Sequence, residues 1–96
     1  MTVRRLVIDV LIPHEPGEIV YAERISELEG TEGVTVHVME VDEKTKTVEM
    51  TIEGEALSFE DIKKVIEELG GAVHSVDRVS AGSRIVDSKA KGEEEG

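Results

Sequence analysis

Two alternating runs joined by a short turn set the architecture: Gly33-Val34-Thr35-Val36-His37-Val38-Met39-Glu40-Val41 and Thr47-Val48-Glu49-Met50-Thr51-Ile52-Glu53. Alternation of apolar and polar residues is typical of a strand that buries one face. The polar residues 42–46 between the runs favour a turn, so residues 33–53 predict a β-hairpin. The residues predicted to face the core are Val34, Val36, Val38, Val48, Met50 and Ile52.

One strand and one helix are predicted on each side of this hairpin. Residues 4–12 and 72–81 are β-rich and read as strands, whereas residues 17–29 and 58–69 carry apolar residues at helical spacing. Ser58 is a natural N-cap, because Asp61 follows at the capping-box position. The buried stripes are expected to contain Ile19, Ala22, Ile25, Ser26 and Leu28 in the first helix, and Phe59, Ile62, Ile66 and Leu69 in the second.

The order strand, helix, strand, strand, helix, strand consists of two split βαβ halves. It predicts an α+β fold of the ferredoxin-like βαββαβ type, with a four-stranded antiparallel sheet in spatial order 4-1-3-2 and two helices on one face. Residues 1–87 would form this domain, and the polar residues 88–96 predict a disordered acidic C-terminal tail. Arg84-Ile85-Val86 is too apolar for a free tail, so we expect it to pack on the sheet or on a neighbouring subunit.

The last strand carries an irregular pattern. Val73, Val76 and Val79 recur every three residues, which does not fit the period of two of a regular strand. We therefore expect a β-bulge there.

Composition excludes several classes of function. The chain has 96 residues, 22 Asp and Glu, 11 Lys and Arg, and a net charge of −11, so nucleic acid and anionic membranes would be repelled. The absence of cysteine excludes disulfides, thiolate catalysis and iron–sulfur ligation. No apolar run approaches the ~20 residues of a membrane span, which predicts a cytoplasmic protein. A core with only two aromatic residues favours a homo-oligomer.

Helices on one face leave the other face of the sheet uncovered. From the first strand, Arg5, Val7, Asp9 and Leu11 would lie there, a mixed surface typical of a subunit interface. Asp9 stands among aliphatic residues, where strand propensity disfavours it. It needs a partner such as Arg5, a metal ion or a backbone donor, and a salt bridge is the most common of these.

Acidic and imidazole side chains suggest a metal site. His74 and Asp77 would come near Asp9 if the last strand borders the first, and His14 and Glu15 follow the first strand. Oxygen ligands would favour calcium or magnesium, and histidine nitrogen would favour zinc or manganese. The spacing is not a recognised metal signature, and a single histidine is more often a surface residue.

Catalytic motifs are absent from the sequence. There is no nucleophile elbow, P-loop or GxGxxG pattern. Acylphosphatases share the order of elements but need an arginine among glycines after the first strand, where this chain has Pro13-His14-Glu15-Pro16. We therefore expect a protein that is not an enzyme. An enzyme would need His14 or His74 as its acid–base residue.

Three segments resemble the archaeal domain-of-unknown-function family 211: Leu6 to Pro16, Ser26 to Val34, and His74 to Gly82. Pro13-His14-Glu15-Pro16 and His74-Ser75-Val76-Asp77 are the most specific parts. The resemblance implies a small ferredoxin-like protein without an assigned activity that forms ring-shaped homo-oligomers. Arg78 replaces an acidic residue of the family, which argues against a site that needs a carboxylate there.

A weaker resemblance is to ACT-type regulatory domains, which also place a pair like Pro16-Gly17 at the first strand-to-helix turn. It implies binding of an amino acid or another small metabolite at a subunit interface. Two hypotheses therefore remain. The first is a non-enzymatic oligomeric scaffold or regulator that binds a divalent cation. The second is an ACT-like sensor of small molecules.

Overall fold

The computed structural model describes residues 2–87. The predicted tail, residues 88–96, lies outside the described residues. The predicted order of six elements is confirmed. The elements are β1 (Val3–Pro13), α1 (Glu18–Ser26), β2 (Gly33–Val41), β3 (Thr45–Leu57), α2 (Phe59–Glu68) and β4 (Ala72–Ala81).

The four strands form one antiparallel sheet in the order β2-β3-β1-β4, which confirms the predicted order and the ferredoxin-like fold. The two long strands β1 and β3 lie in the centre, and β2 and β4 form the edges. Because side chains alternate along a strand, β1 and β3 each send every second residue toward the helices. These residues are Leu6, Ile8, Val10, Ile12, Val48, Met50 and Ile52.

Both helices cover this inner face. From α1, Tyr21 and Ile25 are fully buried, and from α2, Ile62 and Ile66 are fully buried with Val65 nearly so. The valines of β2 are only partly buried because that strand is at an edge of the sheet. Within residues 2–87, neither helix is long and apolar enough to cross a membrane.

The first helix differs from its prediction. It ends at Ser26 rather than at residue 29, and Ile19, expected in the buried stripe, is 71% exposed. Tyr21 takes the buried position instead, and its hydroxyl donates a hydrogen bond of 2.9 Å to the Leu69 carbonyl. This hydrogen bond joins α1 to the C-terminal end of α2. The face of α1 that packs on the core therefore contains Tyr21 rather than Ile19. Leu28 still packs on the core, but from the turn after the helix.

The second helix starts where the sequence predicts, directly after Ser58. Ser58 has extended backbone angles, and its hydroxyl accepts a hydrogen bond of 3.3 Å from the Asp61 amide. This N-cap satisfies one of the amides that a helix leaves unpaired at its first turn. Phe59 and Leu69 pack on the margin of the core and are only partly buried.

The last strand contains two bulges, as its valine spacing predicts. Leu6, Ile8 and Val10 of β1 face Val79, Val76 and Val73 of β4, with register shifts between Val7 and Ile8 and between Asp9 and Val10. Each step of two residues on β1 therefore matches three residues on β4. The bulges keep all three valines on the helix side, and they place His74 and Asp77 in the extra positions.

The loop after α1 docks on the far end of β3. The Glu32 amide donates to the Glu53 carbonyl at 2.7 Å, and the Ala56 amide donates to the Gly30 carbonyl at 3.3 Å. A side chain at Gly54 would overlap the Gly30 carbonyl. β3 extends four residues beyond its predicted end at Glu53, and its last residue, Leu57, pairs with Val3 of β1.

Candidate functional site

The uncovered face of the sheet arranges its side chains in rows that cross the strands. In the central row, His37 of β2 pairs with Glu49 of β3, Glu49 pairs with Asp9 of β1, and Asp9 pairs with Ser75 of β4. The Ser75 hydroxyl donates a hydrogen bond of 2.9 Å to Asp77, which extends the row to a third carboxylate. We call Asp9, Glu49 and Asp77 the acidic centre.

Two members of the acidic centre oppose each other directly. Asp9 and Glu49 are cross-strand partners, and like charges at facing positions destabilise a sheet. The four ion pairs seen among residues 2–87, which join Arg5 to Glu53 and Asp87, Arg24 to Glu68, and Lys46 to Glu18, involve neither side chain. The register between β1 and β3 therefore sets two carboxylates at facing positions on the open face.

Arg5, one of the partners considered for Asp9, does not pair with it. Arg5 lies four residues from Asp9 along the same strand, about 13 Å at the usual rise, and it faces Glu53 instead. Its guanidinium is 2.9 Å from the Glu53 carboxylate and 2.7 Å from that of Asp87. These two acids raise the pKa of Arg5, Asp87 more strongly than Glu53.

The acidic centre lines a group of adjoining shallow depressions. One of about 240 Å³ is bounded by Asp9, Glu49 and Asp77 together with Met39 and Thr47. Asp9 also borders a second depression, of about 270 Å³, which includes Leu11 and His74. A third, of about 340 Å³, is shared by Glu49 and Asp77 with Val7, Thr51 and Arg78. The three carboxylates thus lie at the middle of an open and partly apolar surface.

The five predicted metal ligands are divided between two places. Asp9 lines one depression of the open face with Asp77 and a second with His74, as expected if β4 borders β1. His14 and Glu15 lie in the turn between β1 and α1, where His14 lines another depression and Glu15 is exposed. Nε2 of His14 is within hydrogen-bond distance, 2.8 Å, of the Asp42 carbonyl.

The turn depression has its own charged pair. It has a volume of about 210 Å³, and Glu18 and Lys46 line it with His14 and Pro16. Nζ of Lys46 lies 2.8 Å from the Glu18 carboxylate. The hydrogen bond from Lys46 is the main reason why the pKa of Glu18 falls below its ordinary value.

No three histidine, aspartate or glutamate side chains within residues 2–87 are arranged closely enough to hold a metal ion. Glu49 and His37 belong to the central row although neither was predicted as a ligand. The alternation of residues 47–53 places Glu49 on the outer face, but only the register of β1 against β3 sets it opposite Asp9.

Comparison with known proteins identifies the family. The model of DUF211, described as an uncharacterized ArCR family, matches residues 4–95. The chain belongs to the DUF211 family. This DUF211 chain is also similar to an uncharacterized protein of Methanocaldococcus jannaschii, with 44% identity over 85 residues that cover 88% of each chain. The archaeal family predicted from the sequence is thereby confirmed. Neither description names an activity.

Proposed function

We propose that this DUF211 protein is a non-enzymatic, homo-oligomeric scaffold or regulator that binds a divalent cation on its open sheet face. The observation that carries the proposal is the cross-strand pairing of Asp9 with Glu49, with Asp77 in the same depression. A bound cation would turn this repulsion into attraction. Carboxylate oxygens are hard ligands, which favours calcium or magnesium.

Calorimetric titration tests cation binding. We expect calcium or magnesium to give a saturable heat with the wild-type protein, at an ionic strength held constant with potassium chloride. Asp9→Asn should weaken binding at least about tenfold, because it removes a charged ligand. Glu55→Gln on the same sheet is the matched control, since Glu55 is exposed and lies outside the acidic centre. Absence of saturable heat for calcium, magnesium and zinc would refute the cation site.

Exposed aliphatic side chains support assembly. On the open face and on β2, Leu11 is 42% exposed and Met39 is 57% exposed, and on the edge strand β4, Val79 is 55% exposed. Apolar side chains on a small sheet favour contact with a second copy. The ring form is implied by the family resemblance described above.

Light scattering tests assembly. We expect the wild-type protein to be larger than a monomer, and Leu11→Gln or Val79→Gln to reduce its mass if the respective surface is the interface. Ile19→Gln is the control, because Ile19 is also an exposed aliphatic residue but lies on α1. A strictly monomeric wild-type protein, with and without divalent cations, would refute the oligomer.

An ACT-like sensor is the second candidate, and the turn depression favours it. Glu18 and Lys46 place both signs of charge there, matching the ammonium and carboxylate groups of an amino acid. A thermal-shift screen with amino acids and nucleotides should raise the melting temperature of the wild-type protein, and Lys46→Gln should abolish the shift. A screen in which no compound raises the melting temperature would exclude this candidate.

A further inference from the structure

The two open edges of the sheet differ in their regularity. Within residues 2–87 the sheet ends at β2 on one side and at β4 on the other, so each of these strands has one backbone edge without a neighbouring strand. Along β4, the register against β1 shifts between Val7 and Ile8 and again between Asp9 and Val10, and no regular stretch of β4 is longer than three residues. Such bulges protect an edge strand from pairing with a further strand.

The free edge of β2 has no such protection. Its residues 33–38 pair with β3 in unbroken register, from Gly33 opposite Glu53 to Val38 opposite Val48. Residues 33–39 include no proline and no Asp, Glu, Lys or Arg, although 34% of the chain is charged. Edge strands are usually blunted by charges, proline or bulges, so a regular and neutral edge favours pairing with another strand.

The valines of β2 are incompletely covered. Val34, Val36 and Val38 pack against the core on the helix side, but all three are only partly buried. They keep this exposure because β2 is the last strand on its side of the described sheet. A further strand beside β2 would cover them and remove apolar surface from water.

The sequence of β2 fits a second copy of itself. In residues 34–38, valines alternate with polar residues symmetrically about Val36. Two copies related by a two-fold axis at Val36 would therefore pair antiparallel with valine opposite valine on the helix side, and with Thr35 opposite His37 on the open side. Because each copy carries a net charge of −11, two copies approach at the lowest electrostatic cost through a surface without charged side chains.

We propose that two copies of this chain join through the free edges of β2, with Val36 on the two-fold axis. The two four-stranded sheets would become one continuous sheet. The inference rests on the assembly in the proposed function and names a surface for it. An isologous contact of this kind closes at two copies, so a larger assembly would also use another surface, such as that of Leu11 or Val79.

Disulfide cross-linking tests the pairing and its register. The chain has no cysteine, so Val36→Cys introduces a single thiol. Directly opposed residues of an antiparallel pair have Cα atoms about 4.5–5.5 Å apart, which a disulfide can bridge. We expect oxidised glutathione to convert this variant into a covalent dimer on a non-reducing gel.

Val34→Cys is the matched control on the same strand and face. In the proposed register, residue 34 lies opposite residue 38 of the second copy and about 13 Å along the strand from its own equivalent. It should therefore form no dimer alone, whereas a mixture of Val34→Cys and Val38→Cys should form one.

A pair of lysines tests the same edge without a new covalent bond. Thr35 and His37 are exposed, and T35K/H37K would place lysine opposite lysine twice across the axis. We expect self-association to weaken about tenfold in light scattering at rising protein concentration. The control E55Q/E67Q makes the same change in net charge at exposed positions outside β2 and should not weaken it. Circular dichroism checks that both variants are folded.

Two results would overturn the proposal while the wild-type protein remains larger than a monomer. One is a yield of cross-linked Val36→Cys no higher than that of Val34→Cys. The other is equal self-association of folded T35K/H37K and the wild-type protein. Either would remove the β2 contact and leave the proposed assembly intact, whereas a strictly monomeric wild-type protein would remove both.

Discussion

Asp9 of β1 lies directly opposite Glu49 of β3, so two carboxylates face each other on the open side of the sheet. We predict that Glu49→Gln stabilises the protein in the absence of divalent cations, by about 0.2–1 kcal/mol, because it removes a like-charge pair. Urea unfolding at low ionic strength measures this change, and added salt should reduce it. Glu55→Gln should leave stability nearly unchanged. Destabilisation by Glu49→Gln would contradict the predicted repulsion between the two carboxylates.

The ion pair between Glu18 and Lys46 makes stability depend on pH. The folded-state pKa of Glu18 is lowered, mainly by the hydrogen bond from Lys46. The ionised carboxylate therefore stabilises the fold above its unfolded pKa, and this contribution is lost as the pH falls through the folded-state pKa. Lys46→Gln should cost about 0.5–1 kcal/mol near neutral pH, allowing for solvent screening, and progressively less below about pH 4.

Urea unfolding of the wild-type protein and Lys46→Gln between about pH 3 and pH 7 measures this difference. Arg24→Gln is the control, because Arg24 and Glu68 are 3.5 Å apart and both more exposed. A cost of Lys46→Gln that stays constant over this range would contradict the assignment.

Tyr21 links the two helices through its hydroxyl. Tyr21→Phe keeps the buried ring but leaves the Leu69 carbonyl without its donor, so we expect a loss of about 1–2 kcal/mol. Tyr21→Leu should cost more, because it also opens a cavity in the core. Thermal and urea unfolding measure both variants. Equal stability of Tyr21→Phe and the wild-type protein would show that water replaces the hydroxyl.

Gly54 tests the close contact between β3 and the loop after α1. A Cβ atom there would overlap the Gly30 carbonyl, so Gly54→Ala should destabilise the fold by about 1–3 kcal/mol. Gly33→Ala is the matched control, since nothing lies within 4 Å of a Cβ at that position. Urea unfolding that gives the same loss for both variants would show that strand propensity, rather than the contact, is responsible.

Local sequence patterns predicted the elements that depend on interactions between residues close together in the chain. The alternation of residues 33–53 gave the hairpin, and the position of Ser58 gave the start of α2. The spacing of Val73, Val76 and Val79 gave the irregularity of β4, because each valine has to reach the same face. In all three cases, the residues that carry the signal lie close together in the chain.

Contacts between distant segments were harder to predict. The buried face of α1 was placed around Ile19, because periodicity alone cannot show that Tyr21 donates to a carbonyl of the other helix. Arg5 was one of the partners considered for Asp9, whereas the strand register places Glu53 opposite Arg5, and Asp87 is its second partner.

The sequence by itself determined the order of the elements, the inward residues of the strands, and the presence of unexplained carboxylates at Asp9 and Asp77. Only the tertiary structure decided that Glu49 joins them and that His14 and Glu15 do not line the same depressions. The physical reason is that periodicity fixes which face of a strand a residue occupies, whereas register between strands distant in the chain fixes its neighbours. That register depends on the whole core packing at once.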